Sequence, residues 1–150
     1  MQKSFMRVFF IVFIVSCGLF IGKENMPDQW YISLNKAPFN PPNWVFGPIW
    51  TVLYILIAIA GIRTYEKSGL SLSFGLWILQ MVLNFTWSPI FFGMHNPKMA
   101  LSIILITFLV ILLYIVYQWT RDRISSILFI PYIAWISLAS VLNMYIVLLN

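Results

Sequence analysis

The stretch PFNPPNWVFGPIWTVLYILIAIAGI, residues 38–62, decides the reading of the fold. Its first part carries Pro38, Pro41, Pro42, Gly47 and Pro48; its second part, from Trp50 to Ile62, contains no charged residue. A bilayer core about 30 Å thick is crossed by roughly 20 mostly apolar helical residues, so Trp44–Ile62 reads as a membrane helix entered through a stiffened loop. Working outward, similar runs occupy about Phe5–Gly22, Leu70–Gly93, Met99–Trp119 and Ile124–Leu149. The expected fold is an all-α membrane protein, a single domain over residues 1–150 in which five transmembrane helices form a bundle and the Pro/Trp-rich first loop acts as a lid. The chain is 61% hydrophobic and 9% charged, against roughly 25% charged in an ordinary soluble domain. No separate soluble domain fits.

Every Lys, Arg, His, Asp and Glu except Arg7 falls outside these runs. The four carboxylates, Glu24, Asp28, Glu66 and Asp122, are thereby expected in loops, away from the several kcal/mol that a charge deep in a bilayer costs. That placement disfavours a carboxylate-driven proton transporter. The first helix is the shortest apolar run, and Lys3 and Arg7 ahead of VFFIVFIV also suit a cleaved signal peptide. Retention is the reading preferred here, because Gly18 and Gly22 give a GxxxG spacing that lets helix backbones approach closely.

Lys3, Arg7, Arg63, Lys67, Arg121 and Arg123 fall on one side of five crossings, and Lys23, Lys36 and Lys98 on the other. Positive-inside logic puts the N-terminus in the cytoplasm and the Pro-rich loop outside. The net charge of +5 is scattered over short loops rather than gathered into a stripe, so membrane lipid is the expected partner and nucleic acid is not. A lone cysteine, Cys17, excludes an intrachain disulfide and a cysteine-cluster metal site. No cofactor or metal site is expected.

Acid-base and nucleophilic catalysis have little to work with. The chain shows no phosphate-binding glycine loop, metalloprotease motif or nucleophile elbow. His95, the single histidine, lies in the turn FGMHNPK and reads as a locally hydrogen-bonded loop residue. Aromatic surface is what the sequence does have: seven Trp, seven Tyr and thirteen Phe. Trp44 and Trp119 suit interfacial anchoring, since indoles sit well at headgroup depth.

The third predicted helix is different. Trp77, Gln80, Asn84, Trp87, Ser88 and Phe91 recur at steps of three and four and share one face. Amides cannot point into lipid without unpaired donors, so this face looks inward, for interhelical bonding or for a ligand. On the fifth, Pro131, Trp135, Ala139, Leu142 and Asn143 form a second face. Trp135 lies about 16 Å from the start of its helix, too deep for an anchor, and its indole needs an internal partner. Trp50 and Tyr54 share a face of the second helix about 9–15 Å below Trp44. Trp50, Asn84, Trp87, Trp135 and Ala139 thus fall at overlapping depths, as a cavity opening near the first loop requires. The prolines limit the conformations open to that loop, so it can hold Trp30 and Tyr31 over the helix ends at low entropic cost.

WYISLNKAPFNPPNWVFGPIWTVLY, QMVLNFTWSPIFF and PYIAWISLASVLN, in that order, resemble the three blocks of the TspO/MBR family, the tryptophan-rich sensory proteins related to the mitochondrial translocator protein. The resemblance spans Trp30 to Asn143. It implies a five-helix bundle, often a homodimer, whose first loop closes a pocket for porphyrins, isoquinoline carboxamides and benzodiazepine-type ligands, with sterols in some members. Matched residue by residue, the ligand-binding positions are Tyr31, Trp50, Tyr54, Asn84, Trp87, Trp135 and Ala139. Some bacterial relatives degrade protoporphyrin in light, which would make Trp50 and Trp135 the catalytic positions. Tyr145 is followed by IVLLN without a basic residue, so the sterol motif proposed for animal members is incomplete. The leading expectation is a membrane receptor or sensor for protoporphyrin IX. A light- and oxygen-dependent porphyrin-degrading enzyme and a porphyrin or sterol transporter are the alternatives.

Overall fold

The computed structural model describes residues 2–150, leaving aside the side chain of residue 2. In chain order the helices are α1 (Gln2–Glu24), the short α2 (Gln29–Ser33), α3 (Phe46–Ser68), α4 (Leu72–Ser88), α5 (Pro97–Trp119) and α6 (Arg123–Leu149). A 3₁₀ turn, Asn43–Val45, leads into α3, and a π-helical turn, Pro89–Gly93, continues α4. The five long segments are each apolar enough to span a membrane. α5 packs on α4 and α6, while α3 joins α6 to α1.

Helix association inside lipid draws on close packing and interhelical hydrogen bonds rather than on expulsion of water. Small residues therefore matter where helices touch. Ala58 and Ala60 on α3 are fully buried. At Gly61 an added Cβ would fall 2.4 Å from the Trp77 ring, whose Nε1 donates to the Ile57 carbonyl at 2.9 Å. Ile111, Tyr114, Phe129 and Tyr132, all without exposed surface, fill the middle of the bundle between α5 and α6.

Local chemistry sets the ends. Ser71 accepts from the Phe74 amide to cap α4, and Asn96 accepts from the Met99 amide to cap α5, with Pro97 in the first turn. Gly69 terminates α3 at φ 58°, a backbone state that suits glycine. α3 therefore runs to Ser68 rather than stopping at Ile62, and Glu66 lies on the helix instead of in a loop. A helix keeps its backbone bonds internal on leaving the apolar layer, so charged side chains need not end it. Glu66 is paired with Arg7 at 2.8 Å, which ties α1 to α3.

Asp122 lies in the turn between α5 and α6, as expected, but not in solvent. Its carboxylate is 3% exposed. Arg63 donates to it from both Nε and Nη2, Lys67 donates at 2.8 Å, and Ser125 adds a hydroxyl. Although burial acts to raise its pKa, these donors prevail and hold the carboxyl well below the usual value of 3.8. Next to this cluster, Gln118 bridges Ser73 and Thr64, and Thr64 shares a 2.6 Å hydrogen bond with Tyr114. This end of the bundle is tied across α3, α4, α5 and α6.

At the opposite end the first loop is fastened at three places. Asn35 and Asn150 exchange hydrogen bonds. The Phe39 ring meets Tyr145 edge-on at 5.4 Å. Asp28 caps α2 through the Tyr31 amide and is bonded to His95 Nε2 at 2.9 Å. His95, at φ 50°, stacks on Trp30 with ring centroids 4.4 Å apart.

Candidate functional site

Between the fastened loop and the bundle lies a cavity of about 490 Å³, within the 300–1,000 Å³ typical of small-molecule pockets. Its walls come from the end of α1, the first loop, the first half of α3, the second half of α4 and the last part of α6.

The rings are held by one another. Trp50 lies nearly parallel to Tyr54 at 5.2 Å and meets Tyr132 at 6.2 Å. Trp87 stacks on Phe91 at 4.9 Å, and Tyr31 leans edge-on against Phe91 and Phe92. The π-helical turn explains why both phenylalanines reach the loop. Pro89 has no N–H to give, the chain widens by one residue, and the Met94 amide bonds back to the Pro89 carbonyl. Tyr31 is buried, and that burial raises the pKa of its phenol.

Asn84 answers the question left open for the α4 amides. Tyr54 Oη donates to its Oδ1 and its Nδ2 donates to Tyr132 Oη, both at 2.9 Å. It therefore crosslinks α3, α4 and α6, and it lines the cavity as well. Gln80 serves packing alone: Nε2 donates to the Trp77 carbonyl, while Oε1 is buried without a partner among the described residues. Trp87 Nε1 donates to Asn143 Oδ1 at 3.2 Å, and Asn143 Nδ2 reaches the Pro97 carbonyl.

Tyr31, Trp50, Tyr54, Asn84, Trp87 and Ala139 all line this one cavity. Trp135 stands apart. It lines a recess of about 40 Å³ that shares Phe46, Trp50, Asn84, Trp87 and Ala139 with the larger space. Phe46, which lines both, packs edge-on against the Trp135 ring at 5.6 Å. The internal partner expected for the Trp135 indole is not formed: no described residue accepts from Nε1 of Trp135 or of Trp50, and both rings line open space. Trp44, expected as an interfacial anchor, is 75% exposed and also stands at the cavity rim.

Sequence reasoning missed the contribution of α1. Gly18, Leu19, Gly22 and Lys23 line the cavity, and the GxxxG spacing divides into two roles. A Cβ on Gly18 would fall 2.1 Å from the Tyr54 ring, whereas one on Gly22 meets nothing within 4 Å. Gly18 makes room for a cavity wall inside the same chain. The signal was the spacing itself, but glycines at that interval do not say which partner approaches them. Among the described residues no group of three or more His, Cys, Asp or Glu side chains could hold a metal ion.

The TspO/MBR family model matches residues 8–149. The chain is 34% identical over 143 residues to a tryptophan-rich sensory protein of Cereibacter sphaeroides, covering 94% of this chain and 90% of the relative. It is 42% identical over 142 residues to the tryptophan-rich protein TspO of Archaeoglobus fulgidus, covering 89% and 87%. The translocator protein of Homo sapiens is 29% identical over 136 residues, covering 85% and 80%. With the family match running from α1 to the end of α6 and five spanning helices around one aromatic cavity, the chain is an integral multi-pass membrane protein that belongs to the TspO/MBR family.

Proposed function

We propose that this protein is a membrane receptor or sensor for a flat tetrapyrrole such as protoporphyrin IX, held in the cavity beneath the first loop. The observation that carries the reading is the wall itself: Trp50, Tyr54 and Trp87 offer aromatic faces, no carboxylate lines the space, and the Trp50 indole N–H is free to donate. Stacking and apolar burial supply most of the affinity, and free N–H groups orient polar edges. Asn84 contributes mainly by fixing Tyr54 and Tyr132, since both ends of its amide are engaged. The membrane is read as a bacterial cell membrane by likeness to the bacterial relatives, and the N-terminus as cytoplasmic on the distribution of basic residues. A homodimer would use an open surface such as Gly75 rather than Gly18, which faces Tyr54, or Gly22, which lines the cavity. Sterol recognition through Tyr145 is disfavoured by the missing basic residue and by the packing of that ring against Phe39.

A second reading, photo-oxidative degradation of the bound pigment, is favoured by the same unpaired indole on the wall. Light and dioxygen would supply the oxidising equivalents and Trp50, with Trp135 behind it, the oxidisable groups. Facilitated movement of porphyrin or sterol across the bilayer is the third reading.

One titration separates these. Protoporphyrin IX is added to the detergent-purified protein in darkness, tryptophan fluorescence is followed, and the sample is then illuminated while pigment absorption is recorded. The receptor reading expects saturable quenching that weakens in Trp50→Phe and Trp135→Phe, with no protein-dependent product. Unchanged affinity in both variants overturns the pocket assignment. New absorption that requires both tryptophans moves the enzyme reading ahead, and protein-dependent pigment flux across proteoliposomes would establish transport.

A further inference from the structure

The cavity wall is almost free of charge, and the exception is Lys23. Among the residues lining the 490 Å³ space it is the single ionisable group of the lysine, arginine, aspartate and glutamate types. We infer that Lys23 makes this cavity selective for amphiphiles that carry a carboxylate, holding the anionic edge at the rim while the apolar body lies against Trp50, Tyr54 and Trp87. The inference rests on the receptor reading above and names which chemistry that receptor prefers.

Four observations support it. First, Lys23 makes no ion pair among the described residues, whereas Arg7, Arg63 and Lys67 are each committed to a carboxylate. Second, the other cations at the loop end are not available to the cavity. Lys36 Nζ donates to the Ile32 and Leu34 carbonyls and lies over the Tyr31 ring at 4.6 Å, and Lys98 does not line the space. Third, Lys23 is not needed to finish α1. Cations are commonly placed at helix C-termini to meet the last carbonyls, but here Asn25 does so, its amide and its Nδ2 both reaching the Ile21 carbonyl. Fourth, no acidic side chain shares the wall with Lys23 to offset its charge.

Position sets the expected size of the effect. Lys23 is exposed at the rim, where solvent and salt screen it, so its attraction for a carboxylate resembles that of an exposed ion pair. It selects between ligands and does not supply the bulk of the affinity. Ligands of equal shape then rank acid above neutral ester above amine.

The test uses protoporphyrin IX and its dimethyl ester as matched probes, titrated in darkness by tryptophan fluorescence quenching in one non-ionic detergent. Wild type, Lys23→Gln and Lys23→Glu are compared. Each probe is compared with itself across the three proteins, so that different partitioning into micelles cancels. Lys23→Gln should weaken the acid about two- to fivefold and leave the ester unchanged, and Lys23→Glu should weaken the acid further. Raising the salt concentration should shrink the wild-type advantage of the acid. Equal effects on acid and ester, or no effect on either, overturn the inference and leave the receptor reading standing. Failure of both probes to quench saturably in the wild type overturns the receptor reading and the inference together.

Discussion

The two ends of this bundle are built from the same helices and solve opposite problems. At the Asp122 end, polar side chains are numerous and nearly all are paired: Arg63, Lys67 and Ser125 converge on one carboxylate, and Gln118 spans Ser73 and Thr64. At the loop end a cavity of about 490 Å³ remains, and the indoles of Trp50 and Trp135 have no acceptor among the described residues. A bundle can tolerate a void and unspent donors at one end when the other end fixes the helix positions. Hydrogen bonds and ion pairs that cross four helices set their spacing, and the aromatic rings then line a space whose width is determined elsewhere.

The comparison breaks most readily at Asp122. Removing one partner of a fully buried ion cluster costs about 3–5 kcal/mol. Because Arg63 and Lys67 are 29% and 49% exposed, the expected loss for Asp122→Asn is about 2 kcal/mol, read as a lower unfolding midpoint in detergent. Cavity ligand affinity in the folded protein should change less than twofold. A large affinity loss at unchanged stability would show that the two ends are not separable in this way.

Next comes Gly18→Ala, which pushes a methyl group into the Tyr54 ring. Overpacking of this kind costs about 1–3 kcal/mol, and here the displaced ring is also cavity wall. Stability and affinity should both fall. Gly22→Ala, with nothing within 4 Å, is the control for stability and should leave the unfolding midpoint unchanged. Equal effects at the two glycines would mean that the spacing serves a surface outside this chain.

The acid limb of stability sharpens the contrast. Asp122 has a folded pKa lowered from 3.8, so its contribution is fully present above about pH 4 and is lost as the pH falls through the lowered value. Asp28 is lowered in the same direction, chiefly by the hydrogen bond from the Tyr31 amide. Wild type should therefore lose stability below pH 4, and Asp122→Asn should flatten most of that loss when unfolding is followed against pH. A limb that persists unchanged in the variant would place the titrating group elsewhere.

The smallest effect is expected at the loop. His95 and Asp28 are 43% and 46% exposed at the side chain, so Asp28→Asn should leave the unfolding midpoint nearly unchanged. The local fastening is still weakened. Trypsin should cut after Lys36 faster in Asp28→Asn, and faster again when Asn35→Ala also removes side-chain bonds to the last two residues. Equal cleavage rates in all three proteins would show that Phe39 and the prolines hold the loop without these bonds.

How far the site was legible depends on the kind of residue. Asn84 and Trp87 could be placed on one inward face because helical periodicity and the exclusion of amides from lipid leave no other choice. Pro89 marked an irregularity but not its outcome, since a missing N–H can yield a kink, a break or the wide turn seen at Pro89–Gly93. Trp135 was placed at the right depth, yet depth does not separate the main cavity from the recess beside Phe46. Asp122 was placed in a loop, as found, but a loop position says nothing about which cations fold over it.

The sequence by itself determined five crossings, their alternation, the inward face of α4, the second half of that of α6 and the family, because each follows from local composition, period or ordered blocks. In the first half of α6 Pro131 is exposed, and Phe129, Tyr132 and Ile136 face inward instead. Only the tertiary structure decided that Asp122 is buried, that Gly18 yields to Tyr54 and that Lys23 stands alone at the cavity rim. Those outcomes depend on which side chains meet across helices. Contacts between residues separated by dozens of positions in the chain have no period from which they could be read.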